Sequence, residues 1–518
     1  MAAAAATACA LAAWLTGDWW VGGYEGAARN LTVARVLLFL AALGVVYAAP
    51  AVLRKTSRVQ RLAFAGWAAY LGLWLLGQWP GLVEPDTTDA VVNARQGVAY
   101  EWFSYLNSLL YLAVLDVVPH VAALGVLQVT AMAALLAYAT SLVHARSRTR
   151  WPVVAFCALA ALSSPLVTYT IHYSRDTVFA ILHVLLALVV ARAVVETGRL
   201  SRAGLLGIVA LVGFLSAYRG DGPVLVVVVG LLLLSLRPGR RAVLAGAGAF
   251  AAALVLFHVA LPATLAIRAE NPHQYGLTLR VNPLGAVLQS DFFSQDRDAD
   301  LAGLSRVLDV DRTRALQVPV DIPAYWDGTA WRREATEADW QAFEAAGDRL
   351  LVDNLPTVVG NRVANFAASA GLGPGGWRGP EYIYDLPADR VRKERPLDPG
   401  VLAALTATPP VQRLYTVQED LLHSTSTYVG AGLSGAFLHW NLLPWLAVLI
   451  AALLRFRRWR FEAVVAVILL SRVPLVIAVA PIAQFKYYNS VHLGGLVVLA
   501  LLLARVRREH LRRLLPAR

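Results

Sequence analysis

Long apolar runs, repeated about a dozen times and separated by short polar turns, dominate this 518-residue chain. Each run is roughly 15–23 residues, the length of helix needed to cross a hydrocarbon core of ~30 Å. In lipid a helix satisfies its own backbone hydrogen bonds, so successive runs of this length dictate successive spanning helices. The runs fall at about 1–16, 31–53, 62–79, 121–143, 151–170, 177–196, 203–217, 224–236, 242–265, 436–454, 461–480 and 490–506. They predict an all-α polytopic membrane protein of about twelve transmembrane helices. Composition agrees: 58% of residues are hydrophobic and 15% charged, where a soluble domain has about 45–50% and about 25%.

The net charge of +12 comes from Arg-rich turns at Arg54–Arg61, Arg146–Arg150, Arg199–Arg202, Arg237–Arg241 and Arg455–Arg460, and from the tail after Arg505. Short basic loops mark the cytoplasmic side of a membrane. With the N-terminus inside, every one of these turns falls on that side, so hydropathy and charge give one topology with both termini cytoplasmic. The basic balance is therefore topological, and a nucleic-acid partner is not expected. Cys9 and Cys157 both lie in apolar runs and supply neither a disulfide framework nor a metal cluster. Met1–Thr16 lacks a basic leader region and reads as a first membrane segment, not a cleaved signal. Abundant Ala and Arg with only three Lys suggest a GC-rich bacterial genome, and hence the bacterial cell (inner) membrane.

The organisation divides into N-terminal helices (1–61), a helical module with an acidic first outer loop at 80–120 (62–265), an extracytoplasmic segment (266–435), and C-terminal helices with a basic tail (436–518). Within the first outer loop, Ser104–Val118 is semi-apolar and reads as a helix at the membrane interface. The extracytoplasmic segment is expected to be mainly α or α/β. Thr336–Val352 is helical by period, with Thr336 as its cap. Its aromatics Tyr325, Trp326, Trp331, Trp340, Trp377, Tyr382 and Tyr384 serve either core packing, the simpler reading, or stacking on sugar rings. Asp291, Asp296, Asp298 and Asp300 cluster loosely but lack the spacing of a calcium loop.

The outward turns carry charge where neutral turns would suffice. They include Pro80-Gly81-Leu82-Val83-Glu84-Pro85-Asp86-Thr87-Thr88-Asp89, His172-Tyr173-Ser174-Arg175-Asp176, Tyr218-Arg219-Gly220-Asp221-Gly222-Pro223, and Gln484-Phe485-Lys486-Tyr487-Tyr488-Asn489. The runs flanking Arg219 and Asp221 are too short to span fully, so that turn is expected below the membrane surface. Charges there are paired or functional. Arg219 and Asp221 either pair with one another or belong to a buried site. Arg175 and Asp176 have the same two readings, and Asp86 and Asp89 are either a solvated helix start or an acid pair with a task. Lys486 is one of three lysines against 43 arginines. It reads equally as a compact ammonium for phosphate or as an interface anchor beside Tyr487 and Tyr488. Acids and bases gathered at one membrane face suit a lipid-anchored phosphate substrate: cations hold the phosphate and a carboxylate deprotonates an acceptor hydroxyl.

In their order and sidedness these motifs resemble the GT-C class of integral membrane glycosyltransferases, most closely the bacterial branch related to protein mannosyltransferases. The matching parts are Pro-Gly-Leu-Val-Glu-Pro-Asp-Thr in the first outer loop, Ser-Arg-Asp-Thr-Val-Phe before a helix, the buried turn Arg219-Gly220-Asp221-Gly222, and Lys486-Tyr487 before the last helix. Two features depart from the class: Lys-Tyr replaces its late Arg-Tyr, and two helices precede the acidic loop. The resemblance implies a polyprenyl-phosphate sugar donor and a glycan, lipid or protein acceptor, with Asp86 the catalytic base and Asp89 its neighbour. Arg219 and Lys486, with Arg175 and Tyr487, would hold the donor phosphate, while Asp176, Asp221 and His172 shape the site. Some members of the class use a divalent cation instead, for which Asp86, Asp89 and Asp176 are the candidates. Competing readings are a flippase for lipid-linked sugars, an oligosaccharide polymerase or ligase, and an assembly subunit with a degenerate site. A flippase predicts mid-membrane charges on several helices and repeated halves, whereas the charges gather at one face and no repeat is visible.

Overall fold

The computed structural model describes residues 25–82, 85–101, 104–147, 149–198, 201–236, 240–268, 272–326, 328–332, 334–372, 409–426 and 435–514. The first apolar run, Glu84, the basic residues Arg199 and Arg237, and the aromatics Trp377, Tyr382 and Tyr384 lie outside these, as does the side chain of Trp326. The chain forms two compact units: Met1–Arg268 with Gly379–Arg472 and Asn489–Arg518, and Ala269–Arg378 with Val473–Tyr488.

The first unit opens with helices α1 (Ala27–Lys55), α2 (Arg58–Gly77), α3 (Pro85–Arg95), α4 (Tyr105–Val117) and α5 (Ala122–Arg146). There follow α6 (Trp151–Ala161), α7 (Ser164–Ile171), α8 (Arg175–Ala191), α9 (Arg202–Tyr218), α10 (Val224–Leu234) and α11 (Arg240–Val255). Side-chain oxygens at Ser57, Ser163, Ser174 and Ser201 accept from backbone N–H groups in the first turns of the helices they precede. Ser163 and Pro165 start α7 afresh after α6, and the two axes meet at 60°. A single apolar run thus becomes two helices with a sharp bend between them.

The second unit holds α12 (Pro272–Gln289), α13 (Arg297–Ser305), α14 (Val310–Leu316), α15 (Glu337–Asp353) and α16 (Leu355–Ser369). Beyond it come α17 (Gln412–Ser426), α18 (Leu443–Leu454), α19 (Arg460–Leu470), α20 (Val473–Val479) and α21 (Asn489–Leu514). Of these, α20 belongs to the second unit and the rest to the first.

Six described helical segments are long and apolar enough to cross a membrane: Ala122–Arg146, Arg175–Thr197, Val243–Ala263, Phe437–Leu454, Arg460–Val479 and Phe485–Arg505. Counted as one span, the bent α6–α7 pair makes a seventh, and α9 and α10 are shorter apolar helices, as their runs predict. The first unit wears its apolar residues outside, with Leu73, Val126, Trp151, Leu206, Val227, Leu231, Leu244 and Val259 exposed. Polar contacts lie within: Trp67 Nε1 donates to Thr140 Oγ1 (3.3 Å), His183 meets the Ile468 carbonyl (3.2 Å) and His492 meets Ser163 Oγ (2.7 Å). That inversion of the soluble pattern is what a lipid solvent selects. Together these features make the chain an all-α polytopic membrane protein.

Ser104–Val118 does form a helix, α4, but most of it is buried. Asp116, fully buried, takes a bidentate grip from Arg35 of α1 (Nε–Oδ2 2.7 Å, Nη2–Oδ1 2.8 Å). Breaking a buried pair leaves its partner charge uncompensated, at about 3–5 kcal/mol. Asp116→Ala is therefore expected to lower the denaturation midpoint in detergent markedly, and Arg35→Met/Asp116→Leu to recover most of the loss; scanning fluorimetry of the three proteins checks both.

In the second unit the periodic stretch is helical as read. Thr336 and Asp339 form a reciprocal capping box at the start of α15. Trp331, Trp340 and Phe343 are core residues with Leu277, Leu284 and Leu304, and Tyr325 packs against them, so these aromatics are structural. The aspartate cluster is structural too: Asp296 caps α13 and Asp300 pairs with Arg349 (2.7 Å). Chain returning at Val473–Tyr488 completes the unit, with Ala483 N–H donating to the Val320 carbonyl (2.8 Å) and Ile482 in the core.

His273 of α12 stacks on Trp340 (centroids 5.1 Å apart) and bridges Glu337 (2.9 Å) and Glu344 (3.4 Å) of α15. Burial alone would lower its pKa, but hydrogen bonds to both carboxylates outweigh that and hold it above the ordinary histidine range. A raised folded-state pKa contributes stability that is full below the unfolded value and lost as pH rises through the folded one. Hydrogen-exchange protection across the α12–α15 junction is therefore expected to fall as pH rises through and above the ordinary histidine range, and to lose that dependence in His273→Gln.

Candidate active site

The site is built where α3, α4 and the turn before α8 meet in the first unit. Leu82, just ahead of α3, is clamped to the end of α7 by two backbone bonds: its N–H donates to the Ile171 carbonyl (2.9 Å), and its carbonyl accepts from Tyr173 N–H (3.2 Å). Thr87 Oγ1 in the first turn of α3 donates to the Tyr173 carbonyl. Gly81 has φ +130°, and a Cβ there would strike the Tyr173 ring, so only glycine admits this close approach. The acidic loop is thereby fixed to the His172–Asp176 turn, although some ninety residues of sequence separate them.

Between them lies a small, partly open cleft lined by Asp86, Asn107, Tyr111, Tyr173, Arg175 and Asp176 among others. Asp86, half-buried, stands in the first turn of α3, where the helix dipole favours a carboxylate. Asn107 is fixed by the buried Tyr218 hydroxyl, which donates to its Oδ1 (2.7 Å). Ser104 Oγ donates to the Ala217 carbonyl (3.2 Å) and ties α4 to the end of α9. The cleft lining therefore holds two carboxylates, Asp86 and Asp176, and one guanidinium, Arg175, with hydroxyl and amide groups around them.

Behind it runs a buried chain of ion pairs. Asp176, 4% exposed and capped through Ser174, pairs with Arg219. Arg219 Nε also donates to Asp221 Oδ1 (2.9 Å). The other oxygen of Asp221 accepts from Arg472 (Nε 2.9 Å, and Nη2), whose Nη1 reaches Ser490 Oγ (3.4 Å). The Arg219 and Arg472 guanidiniums lie 5.6 and 4.5 Å from the Phe179 ring centroid, within cation–π range. Two acids and two arginines leave the chain neutral, the condition under which charge is tolerated in a buried site.

The structure therefore brings Asp86, Arg175 and Asp176 together at the cleft. Asp89, one turn further along α3, is half-buried and is not among the residues lining it. Arg219 and Asp221 do pair, and stand behind Asp176. His172 is buried, its ring tilted against Tyr169 (centroids 6.0 Å apart), with its carbonyl held by Gln128 Nε2 (2.6 Å). Lys486 and Tyr487 belong to the second unit, where Lys486 is 7% exposed in the 3-10 turn Phe485–Tyr488 and Tyr487 packs on the core. Arg472 escaped the sequence reading; its signal was a lone arginine inside the apolar run 461–480. As a cation site the acids do not fit: Asp176 is engaged by Arg219, and no group of three His, Cys, Asp or Glu converges among the described residues.

The fold and site define a polytopic membrane protein with a charged cleft at the ends of its helices. Residues 107–325 match the model of Glycosyltransferase family 87, which supports glycosyltransferase activity and agrees with the resemblance to membrane glycosyltransferases. The matched stretch contains Arg175, Asp176, Arg219 and Asp221, begins after Asp86 and ends before Arg472. No curated protein and no solved structure matches the chain.

Proposed function

We propose that this protein transfers a sugar from a polyprenyl-phosphate donor to an extracytoplasmic acceptor, by direct displacement with inversion at the anomeric carbon. The observation that carries the reading is the convergence of Asp86 and Arg175 on one cleft backed by Asp176. Asp86 takes the proton of the acceptor hydroxyl as its oxygen attacks the anomeric carbon. The C1–O bond to the lipid phosphate breaks on the opposite face, and the departing phosphate carries away the electron pair. Arg175 neutralises that charge from within the cleft. Arg219 stands one layer back, where it holds Asp176 in place. The phosphate-binding role of Lys486 and Tyr487 and the neighbouring role of Asp89 rest on the sequence resemblance.

The topology belongs to the same proposal: twelve spans, cytoplasmic termini, a bacterial cell membrane, and residues 266–435 outside. It is supported by two ion pairs away from the cleft, Arg146 at the end of α5 with Glu196 just beyond α8, and Glu462 at the start of α19 with Arg505 of α21. Purified protein in liposomes, offered a panel of polyprenyl-phosphate sugars, is expected to yield a product whose anomeric configuration is opposite to the donor's. Retention, read by proton NMR of the product, would overturn the single-displacement reading.

A further inference from the structure

Helix α16 is amphipathic in the reverse sense to the rest of its unit. Its inward face carries Asn361, Asn365 and Ser369, which are 6%, 2% and 1% exposed. Beside them Arg362 donates from Nη1 to the Ala480 carbonyl (2.6 Å) and from Nη2 to the Leu279 carbonyl (2.8 Å). Its outward face is Leu355, Val359 and Val363, each more than half exposed, with Pro356 and Gly360 between them. The spacing of four residues puts these three on one helical face. Val352, 73% exposed, lies at the end of α15 just before the break at Asn354. Phe293, 61% exposed, joins the corner, because Asn354 accepts from its N–H (2.9 Å) and donates to its carbonyl (2.8 Å). By contrast α15 turns Glu337, Gln341, Asp348 and Arg349 outward.

A surface helix of a water-facing unit places polar residues outward, and contiguous exposed apolar residues mark a partner surface. Here the neighbour identifies the partner. Within this unit α16 packs on α20, the last part of the membrane-crossing segment Arg460–Val479, and Arg362 grips Ala480 immediately after it. That segment exposes its own Leu475 and Val479. The helix with the exposed apolar face thus packs directly on the end of a segment long and apolar enough to cross a membrane.

We propose that the outward face of α16, with Val352 and Phe293 at its corner, beds into the lipid bilayer beside α20, its partner being the acyl chains of membrane lipid. The proposal rests on the membrane reading and is independent of the sugar-transfer chemistry. The test uses the full chain with Cys9 and Cys157 replaced by alanine, carrying one of Leu355→Cys, Val359→Cys or Val363→Cys. Asp311→Cys is the control, its side chain being 94% exposed on α14. Each protein is labelled with bimane and reconstituted into phosphatidylcholine–phosphatidylglycerol vesicles with acyl-brominated lipid. Quenching by the brominated chains is expected to be several-fold stronger at the three α16 positions than at Asp311→Cys, and quenching by aqueous iodide several-fold weaker. Spin labels at the same positions, read by oxygen against nickel-chelate accessibility, repeat the test with a smaller probe. Iodide access at α16 equal to that at Asp311→Cys would overturn the proposal. So would shielding from both quenchers, which would place another protein surface on this face.

Discussion

Asp86→Asn is expected to lower sugar transfer by about 10²–10⁴-fold, the range over which a positioned general base acts, with the donor KM nearly unchanged. Asparagine preserves the shape of the side chain at the start of α3 and removes only its basicity. The backbone clamp at Leu82 and the Thr87 bond to Tyr173 do not depend on it. Asp89→Asn, one turn away and not among the cleft-lining residues, is expected to change the rate far less. Steady-state kinetics on the two variants separates them. A fall confined to Asp89→Asn would move the base one turn along the helix and refute the assignment.

The second large effect falls on stability. Arg472→Gln is expected to destabilise the protein by about 3–5 kcal/mol, as does the loss of one partner from other buried ion pairs. The substitution leaves Asp221 with a single guanidinium and gives the buried chain a net negative charge. Asp221→Asn should be comparably harmful, with the sign reversed. The double variant restores neutrality, since Asp176 and Arg219 remain as a pair, and is expected to lose clearly less than the sum of the singles. Denaturation midpoints of the four proteins in one detergent give the cycle directly. Strict additivity would mean that the Asp221–Arg472 contact contributes nothing.

How much of this was legible depended on sequence distance. Apolar runs fix spanning helices locally, because each helix satisfies its own backbone and needs no distant partner. Hence α5, α8 and the short α9 and α10 all fall where hydropathy puts them. The Arg219–Asp221 pair was legible for the same reason, its members being two residues apart. Neither Asp176, 43 residues before its partner Arg219, nor Arg472, 251 residues beyond Asp221, could be joined to that pair from the sequence. Hydropathy averaging also hides a lone charge: Arg472 and Arg35 each vanish into an apolar run, and Asp116 into a semi-apolar one. Nor does periodicity reveal which segments share a core. Residues 473–488 complete a unit whose other helices end a hundred residues earlier. The cleft itself was half-readable. Asp86, Arg175 and Asp176 carried charge in turns where none was required, whereas Asn107, Tyr111 and Tyr173 looked like ordinary interface residues.

The central claim is that this membrane protein breaks a sugar–phosphate bond and does not merely move a lipid-linked sugar. Wild-type protein in liposomes, with a polyprenyl-phosphate sugar and an acceptor supplied on the same side, tests it most directly. The account predicts acceptor-dependent release of polyprenyl phosphate, matched mole for mole by glycosylated product. Passage of the intact lipid-linked sugar to the opposite leaflet, with no polyprenyl phosphate released, would contradict it.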